Sequence, residues 1–275
     1  MSNKLNFIFW GTPEVASDTL EILKKAEFLP SLIITSPDAK KGRGLMIEAS
    51  PVAAFAKKNN IPCLKPEKLD EKLTLQLSTF NFQLSIVVAY GKIIPEDILN
   101  IPKLGSINIH YSLFPKYRGA SPVESAILNG ENYTGVTIQQ MEYKMDSGPI
   151  LAQEKVEIGR DETAPELRQR LMKIGGEFLV KILPDLMEGK IKPIPQDESS
   201  ATHCAKIKKG DGFIDLNASG ILNYNKFRAY VTWPRTYFFQ NDKRIIITKA
   251  RLENNTFIVE KVIPEGGKER NYQIT

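Results

Sequence analysis

The first 150 residues alternate short apolar runs with amphipathic runs, and this alternation limits the possible folds more than any other feature. The amphipathic runs, such as residues 14–26, carry apolar side chains at helical spacing. The predicted strands are residues 5–10, 32–35, 85–89 and 106–110, followed by residues 137–141 and 150–156. Strands that alternate with helices are typical of a parallel sheet joined by crossover helices. The sequence therefore predicts an α/β fold.

The pattern changes near residue 190. Residues 163–188 have strong helical periodicity, and the polar, proline-containing residues 190–203 are predicted to be an exposed linker. Short β-branched and aromatic runs follow and predict a small β domain, which we expect to be a barrel. The predicted organisation is an N-terminal domain of residues 1–189, the linker, and a C-terminal β domain of residues 204–275.

Positive charge is concentrated at the C-terminal end of the chain. Residues 1–200 hold 24 Lys and Arg against 25 Asp and Glu, whereas residues 201–275 hold 13 against 7. Such an asymmetry suits a module that binds a polyanion, and nucleic acid is the commonest polyanion. A basic surface that only contacts solvent remains the alternative.

Several classes of protein are disfavoured by composition. No apolar run approaches the roughly 18 residues that a membrane span requires, and the N-terminal residues lack the apolar segment and cleavage site of a signal peptide. The two cysteines, Cys63 and Cys204, are too few for a disulfide framework or a thiolate metal site. We therefore expect a cytoplasmic protein with free thiols and no membrane association.

The chain has two histidines, and they focus the search for a catalytic site. His203 precedes Cys204, but no second such pair could complete a metal site, so its position is interpreted as incidental. His110 ends a predicted strand, two residues after Asn108, and side chains two apart in a strand point to the same side. Open parallel sheets bind ligands at the carboxyl ends of their strands. Asn108 and His110 are therefore predicted to face one cavity.

A carboxylate follows in the turn of residues 145–148, where Asp146 lies between two predicted strands. An amide, an imidazole and a carboxylate without a nucleophilic Ser or Cys indicate direct transfer between two bound substrates. Asn108 and His110 would stabilise an oxyanion, while Asp146 would orient the imidazole and help to remove a proton from an attacking amine. The open alternatives are that His110 is a buried core residue and that Asp146 only caps its turn. The protonation state of His110 also stays open, because burial and a nearby carboxylate act in opposite directions.

The segment NIHYSLFPKYRGASP, residues 108–122, resembles the signature of the folate-dependent formyltransferases. The resemblance implies a Rossmann-like domain that binds 10-formyltetrahydrofolate without a metal. It also implies that Asn108, His110 and Asp146 form a catalytic triad. The residues expected to contact the folate are Tyr90, Gly91, Ser112, Leu113 and Pro115.

Further segments are similar to the members of this family whose acceptor is methionyl-tRNA. They are FWGTPEVAS, SPDAKKGRG, VVAYGKIIP and AKIKKGDGFIDL. This similarity implies formylation of the α-amino group of initiator methionyl-tRNA in translation initiation, by a monomer whose C-terminal domain is OB-like and contacts the tRNA. The residues expected to contact the tRNA are Lys40, Lys41, Arg43, Lys206, Lys208 and Lys209.

Other functions remain open at this point. A related enzyme could formylate an amino sugar nucleotide or glycinamide ribonucleotide, a hydrolase could release formate from the folate, and a non-catalytic relative could bind tRNA alone. Tyr111 departs from the family pattern, which has a small residue or Pro beside the catalytic histidine, and we expect it to reshape the pocket. Arg118 is either in a surface ion pair or supports the substrate loop. Relatives usually continue with a short helical segment beyond the position of Thr275.

Overall fold

The computed structural model describes residues 5–41 and 46–273. It contains fifteen strands and seven α-helices within that part of the chain. The strands are β1 (Phe7–Gly11), β2 (Leu32–Ile34), β3 (Ala39–Lys41), β4 (Met46–Glu48), β5 (Cys63–Leu64), β6 (Leu84–Val88), β7 (Ser106–His110), β8 (Arg118–Gly119), β9 (Tyr133–Gln140), β10 (Ile150–Glu157), β11 (His203–Cys204), β12 (Tyr237–Gln240), β13 (Lys243–Glu253), β14 (Thr256–Pro264) and β15 (Arg270–Asn271). The helices are α1 (Glu14–Lys25), α2 (Pro51–Lys58), α3 (Glu71–Ser78), α4 (Glu96–Leu99), α5 (Pro122–Leu128), α6 (Ala164–Met187) and α7 (Gly220–Ala229).

A seven-stranded sheet organises the N-terminal domain, with the strand order β10-β9-β7-β6-β1-β2-β5. The five strands from β7 to β5 run parallel, while β9 and β10 are antiparallel to their neighbours. The chain moves from β1 to β2 on one side and later returns to place β6 on the other side. Such a reversal leaves a crevice at the carboxyl ends of β1 and β6, where ligands bind in open α/β sheets.

Helices cover both faces of this sheet, which explains why its central strands are continuous apolar runs. Alternate residues of β1 point to opposite faces: Phe7 and Phe9 belong to the core under α1, α2, α5 and α6. Ile8 and Trp10 belong to the core under α3 and α4. Burial of each of these side chains contributes about 1.5–3 kcal/mol to the free energy of unfolding.

The C-terminal domain is an antiparallel sheet with the order β12-β13-β14-β15. Helix α7 packs against its inner face, over a core that includes Phe227, Phe238 and Ile247. The predicted fold class, an α/β domain followed by a small β domain, is confirmed. The described strands form one sheet with β12 and β15 at its edges, where the sequence led us to expect a barrel.

Helix α7 also attaches the C-terminal domain to the N-terminal domain. The Tyr224 hydroxyl donates to Asp161 Oδ1 at 2.8 Å, and Arg228 Nη1 donates to the carbonyl of Glu162 at 3.0 Å. Tyr230, just after the helix, belongs to the large core under α6. These contacts fix the relative position of the two domains.

Residues 190–203, predicted to be an exposed linker, follow the surface of the N-terminal domain. Ile194 exchanges two backbone hydrogen bonds of 2.8 Å with Ile150, the first residue of β10. At the other end of the segment β11 pairs in parallel with β8. Most of its side chains are exposed, as predicted, but its backbone is docked. Within the described residues, no helix has the length and apolar character needed to cross a membrane.

Candidate active site at the carboxyl end of β7

Asn108 and His110 lie on the same face of β7, as their spacing predicts. Antiparallel pairing places Asn108 opposite Gln139 and His110 opposite Thr137 in β9. The alternate residue Ile109 belongs to the core on the opposite face, under α6. The amide and the imidazole are therefore directed away from α6, at the carboxyl edge of the sheet.

The His110 ring is held by its neighbours. Its Nε2 lies 2.9 Å from the carbonyl oxygen of Tyr117, and its ring stacks on Phe114 with the centroids 4.4 Å apart. Because a carbonyl can only accept, Nε2 carries the proton of the neutral ring. Nδ1 lies 3.7 Å from Asp146 Oδ2, which is beyond hydrogen-bonding distance. The ring is thus oriented by the Tyr117 carbonyl, a role that the sequence led us to assign to Asp146.

Burial decides the protonation state that the sequence left open. Burial lowers the pKa of His110 below its ordinary value, and the Asp146 carboxylate and the Tyr117 carbonyl offset this only in part. The ring is therefore neutral near pH 7. Its Nδ1 lone pair faces the carboxylate and is available to accept a proton.

Asp146 is held in a left-handed turn, with a φ of 55°. The backbone N–H of Gly119 donates to its Oδ2 at 2.7 Å, and Gln139 Nε2 donates to its Oδ1 at 3.1 Å. Gly148 closes the turn so tightly that an added Cβ would collide with the carbonyl oxygen of Gln140. The position of the carboxylate is therefore set by the loop after β7 and by β9 together.

The carboxamide of Asn108 differs from these two groups. Its side chain is half-buried, and none of the described residues forms a hydrogen bond with it. Gln139, its neighbour across the strands, is 2% exposed and leaves its Oε1 without a partner. The site thus combines a free amide, a neutral imidazole and a fixed carboxylate, which can polarise a carbonyl group and accept a proton from a nucleophile.

Two neighbouring residues differ from what the sequence suggested. Tyr111 packs beside Gly175 of α6, on the face of β7 that is opposite to His110, so it does not reshape the pocket as expected. Arg118 is only 1% exposed, but it is in an ion pair of 2.7 Å with Glu198, whose side chain is 60% exposed. Its guanidinium lies between Gln196 and Glu198 of the segment 190–203.

The sequence did not identify Gln139 or Gln196 as site residues. Gln139 reaches Asp146 only through the register of β9 against β7, and Gln196 is 50 residues from the Asp146 carbonyl to which it donates at 2.9 Å. A signal for Gln139 exists in the alternation of β9, because a polar side chain there shares the face of Asn108. No local pattern marks Gln196.

The residues predicted to contact a folate lie in two segments. Tyr90 and Gly91 follow β6, and the Tyr90 carbonyl accepts from the Thr12 hydroxyl at 3.3 Å, just after β1. They therefore lie at the crevice between β1 and β6. The Tyr90 side chain is buried, which raises the pKa of its hydroxyl to about 12, and Gly91 has a φ of 83°.

The second segment is the loop after β7. Ser112 is fully buried and its hydroxyl donates to the Lys116 carbonyl at 2.6 Å, so this hydroxyl stabilises its own loop. Leu113 packs against Gly135 of β9, and the Pro115 carbonyl accepts from the Thr202 amide at 3.2 Å. The loop is thus held on one side by β9 and on the other by the segment 190–203.

The residues predicted to contact tRNA also lie in two places. Lys40 and Lys41 belong to β3, which pairs with β4 in a hairpin, and Arg43 lies outside the described residues. Lys206, Lys208 and Lys209 are exposed just after β11.

A partly exposed cluster of three aromatic rings and one guanidinium lies beyond these lysines. We call it the aromatic–arginine cluster; it consists of Phe213, Tyr237, Phe239 and Arg244. The Arg244 guanidinium lies 3.8 Å from the centroid of the Tyr237 ring, and Phe239 is 57% exposed. Exposed rings beside cationic side chains are typical of surfaces that bind single-stranded nucleotides.

Among residues 5–41 and 46–273, no group of His, Cys, Asp and Glu side chains is arranged to hold a metal ion. His203 is exposed in β11 beside the buried Cys204.

Comparison with known families extends over most of the chain. The family described as "Formyl transferase" matches residues 3–183, and "Formyl transferase, C-terminal domain" matches residues 206–268. The methionyl-tRNA formyltransferase of Dictyoglomus turgidum is 40% identical over 272 residues, which cover 97% of this chain and 86% of that protein.

Solved structures with the same fold are more distant in sequence. The N-formyltransferase of Helicobacter canadensis, determined with folinic acid and dTDP-3-aminofucose, has a TM-score of 0.69 at 20% identity and covers 91% of this chain and 88% of its own. The methionyl-tRNA formyltransferase of Clostridium thermocellum has a TM-score of 0.62 at 16% identity, over 98% of this chain and all of its own. At these identities the likeness establishes the fold.

Proposed function

The chain belongs to the formyl transferase family, and from that premise we propose that it transfers the formyl group of 10-formyltetrahydrofolate to the α-amino group of methionyl-tRNA. The observation that carries this proposal is the 40% identity to the D. turgidum methionyl-tRNA formyltransferase across 97% of the chain. The H. canadensis N-formyltransferase is similar to this chain in fold at 20% identity. This likeness supports a shared architecture but not a shared acceptor.

The proposed mechanism is a direct attack of the amine on the formyl carbon. Asn108 donates a hydrogen bond from its amide to the formyl oxygen, which becomes negatively charged as the C–N bond forms. The amine loses a proton to Nδ1 of His110, and the resulting imidazolium helps to stabilise the oxyanion. Asp146, 3.7 Å from Nδ1, balances the new positive charge.

Collapse of the tetrahedral intermediate completes the transfer. The oxyanion reforms the carbonyl and expels N10 of tetrahydrofolate, which takes the proton from His110. The ring returns to its neutral form, which its buried position favours. The Tyr117 carbonyl and Phe114 keep Nδ1 in the same place through both proton transfers.

The folate is proposed to bind in the crevice at the carboxyl ends of β1 and β6, against Tyr90 and Gly91, and along the loop of Ser112, Leu113 and Pro115. The location of Tyr90 beside Thr12 supports this placement, because ligands of such sheets bind where the strand order reverses. The loop after β7 borders the same edge as His110.

The tRNA is proposed to bind along the basic C-terminal part of the chain, with initiator methionyl-tRNA as the acceptor. Lys206 follows β11, whose partner β8 contains Gly119, the residue that donates to Asp146. The basic surface therefore begins next to the candidate site. Lysines would contact phosphates, and the aromatic–arginine cluster could stack on unpaired bases. The second proposed contact is Lys40 and Lys41 of β3, together with Arg43, which lies outside the described residues.

One assay separates the candidate functions. The protein is incubated with 10-formyltetrahydrofolate labelled in its formyl group, and with charged initiator tRNA, a dTDP-linked amino sugar, glycinamide ribonucleotide or water alone. The label should appear on methionyl-tRNA at least about 100-fold faster than on the small amines. The small amines lack the contacts that tRNA makes with the protein, and loss of those contacts lowers kcat/KM. Label on a small amine or in formate at an equal rate would refute the proposal.

A further inference from the structure

Gln196 connects the segment 190–203 to the turn that carries Asp146. Its Nε2 donates to two carbonyl oxygens of that turn, Asp146 O at 2.9 Å and Gly148 O at 2.7 Å. Its Oε1 accepts from Arg118, from Nε at 3.0 Å and from Nη2 at 2.9 Å. The hydrogen-bonding capacity of this carboxamide is thus divided between the Asp146 turn and Arg118.

Arg118 is a buried anchor for this arrangement. It is 1% exposed, and its guanidinium also donates to both oxygens of Glu198, at 3.1 and 2.7 Å. A buried charge that loses a partner destabilises its surroundings. The next residue, Gly119, donates to the Asp146 carboxylate, so Arg118 and Gln196 act on one turn from two sides.

The Asp146 turn needs such support. A φ of 55° is uncommon for a residue with a side chain, and such a conformation persists when surrounding contacts determine it. Without the two bonds from Gln196, the carbonyls of Asp146 and Gly148 would have no donor within the described residues on this side of the turn. The distance between Asp146 and His110 would then be set by the Gly119 and Gln139 contacts alone.

We propose that Gln196 is a positioning residue for formyl transfer. By donating to the Asp146 turn, it keeps the Asp146 carboxylate near His110, and the segment 190–203 thereby becomes part of the active site. This inference rests on the proposed function for its kinetic readout. It assigns Gln196 no contact with either substrate.

Two substitutions separate this role from simple acceptance of hydrogen bonds from Arg118. Gln196→Ala removes both functions of the carboxamide, whereas Gln196→Glu still accepts from Arg118 but cannot donate to the carbonyls. If donation to the turn matters, both variants should lose about 100-fold in kcat, the size of effect expected from a misplacement of about 1 Å. The KM values for folate and tRNA should stay within about threefold, because the ground-state contacts are retained. Gln169→Ala, the same change at an exposed site on α6, is the matched control and should leave kcat unchanged.

Near-normal kcat in Gln196→Glu would overturn the proposal, because acceptance from Arg118 would then be sufficient. If the substitutions raised KM by the factor expected for kcat and left kcat unchanged, the proposal would also be overturned, because Gln196 would then act on substrate binding.

A second measurement does not depend on activity. Hydrogen exchange of the Gly119 amide, which donates to Asp146 Oδ2, should become about tenfold faster in both Gln196 variants, while amides of β1 keep their protection. Unchanged exchange at Gly119 would refute the positioning role. A wild-type protein that formylates no tRNA would refute only the proposed function, and the exchange experiment would still decide the role of Gln196.

Discussion

The carboxamide of Asn108 is free of hydrogen bonds to the described residues, whereas His110 and Asp146 are both held by neighbours. Removing it should therefore affect the reaction more than the fold. Asn108→Ala is expected to lower kcat by about 100- to 1000-fold, the loss typical of one donor to an oxyanion. Single-turnover formylation of methionyl-tRNA measures this effect.

Asn100→Ala is the matched control for this substitution, because Asn100 is exposed just after α4. It should retain normal turnover. A thermal melt should place both variants within a few degrees of wild type, and near-normal turnover in folded Asn108→Ala would remove Asn108 from the mechanism.

The lowered pKa of His110 predicts how activity depends on pH. Neutral His110 is the proton acceptor, so kcat/KM should fall as the pH drops through its pKa, which burial holds below the ordinary value of 6.5. Asp146 raises this pKa, so Asp146→Asn should move the acid limb to still lower pH while it lowers the maximal rate. The free energy of unfolding should also fall as the pH drops below 6.5, because the unfolded chain then binds the proton more readily than the folded chain.

Proton NMR can measure this directly, since the chain has only two histidines. The His110 resonance, assigned by its loss in His110→Asn, should titrate below pH 6.5 in wild type and at lower pH in Asp146→Asn. A shift in the opposite direction would mean that the carboxylate does not act on the ring.

At the scale of elements, the turn between β9 and β10 is the most sensitive part of the site. A Cβ at position 148 would collide with the Gln140 carbonyl, so Gly148→Ala must displace the turn that carries Asp146. We expect a loss of about 100-fold in kcat, with a decrease of about 1–3 kcal/mol in the free energy of unfolding from overpacking. Denaturant unfolding and steady-state kinetics measure the two effects.

Met145→Ala, in the same turn, provides the comparison, because Met145 is 62% exposed. It should change neither quantity measurably. If Gly148→Ala kept full activity, the exact position of the turn would not matter for catalysis.

The strands and helices that hold the site could be predicted from local sequence, because each has a strong periodic pattern or cap. β7 has the predicted limits, and α2 begins at Pro51 with the Ser50 hydroxyl accepting from the Ala53 amide at 3.0 Å. The location of Asn108 and His110 on the same face of β7 follows from the two-residue repeat of a strand. These features depend on contacts within a few residues.

The remaining features depend on contacts between distant parts of the chain. Gln139 reaches Asp146 through a strand register, and Gln196 reaches it across 50 residues of sequence. The polar composition of residues 190–203 correctly indicates exposure, but it is also compatible with a segment that docks through its backbone. The orientation of His110 by the Tyr117 carbonyl could not be predicted because it depends on how the loop after β7 folds back.

At the scale of the whole molecule, the structure shows where the charged side chains counted in the sequence lie and which of them are paired. In the C-terminal sheet, Lys249 and Arg251 are paired with Glu260, and Arg251 is also paired with Glu253, so two carboxylates compensate the two positive charges. Lys206, Lys208 and Lys209 form no ion pair with the described residues. These three lysines follow β11, whose partner β8 contains the Gly119 that donates to Asp146, so part of the positive charge of the domain lies beside the candidate site.

This arrangement predicts that tRNA binding is sensitive to salt. Each lysine that contacts a phosphate contributes about 0.7–0.9 to the slope of log Kd against log salt. Replacing Lys206, Lys208 and Lys209 together by Ala should reduce that slope by up to about 2.5 and weaken tRNA binding at low salt. The same replacement of Lys57, Lys68 and Lys181, which are exposed on the N-terminal domain, removes equal charge and should leave the slope unchanged. Filter binding at several salt concentrations measures the slope for each triple variant. Equal slopes for the two variants would exclude the β11 lysines as the contact surface.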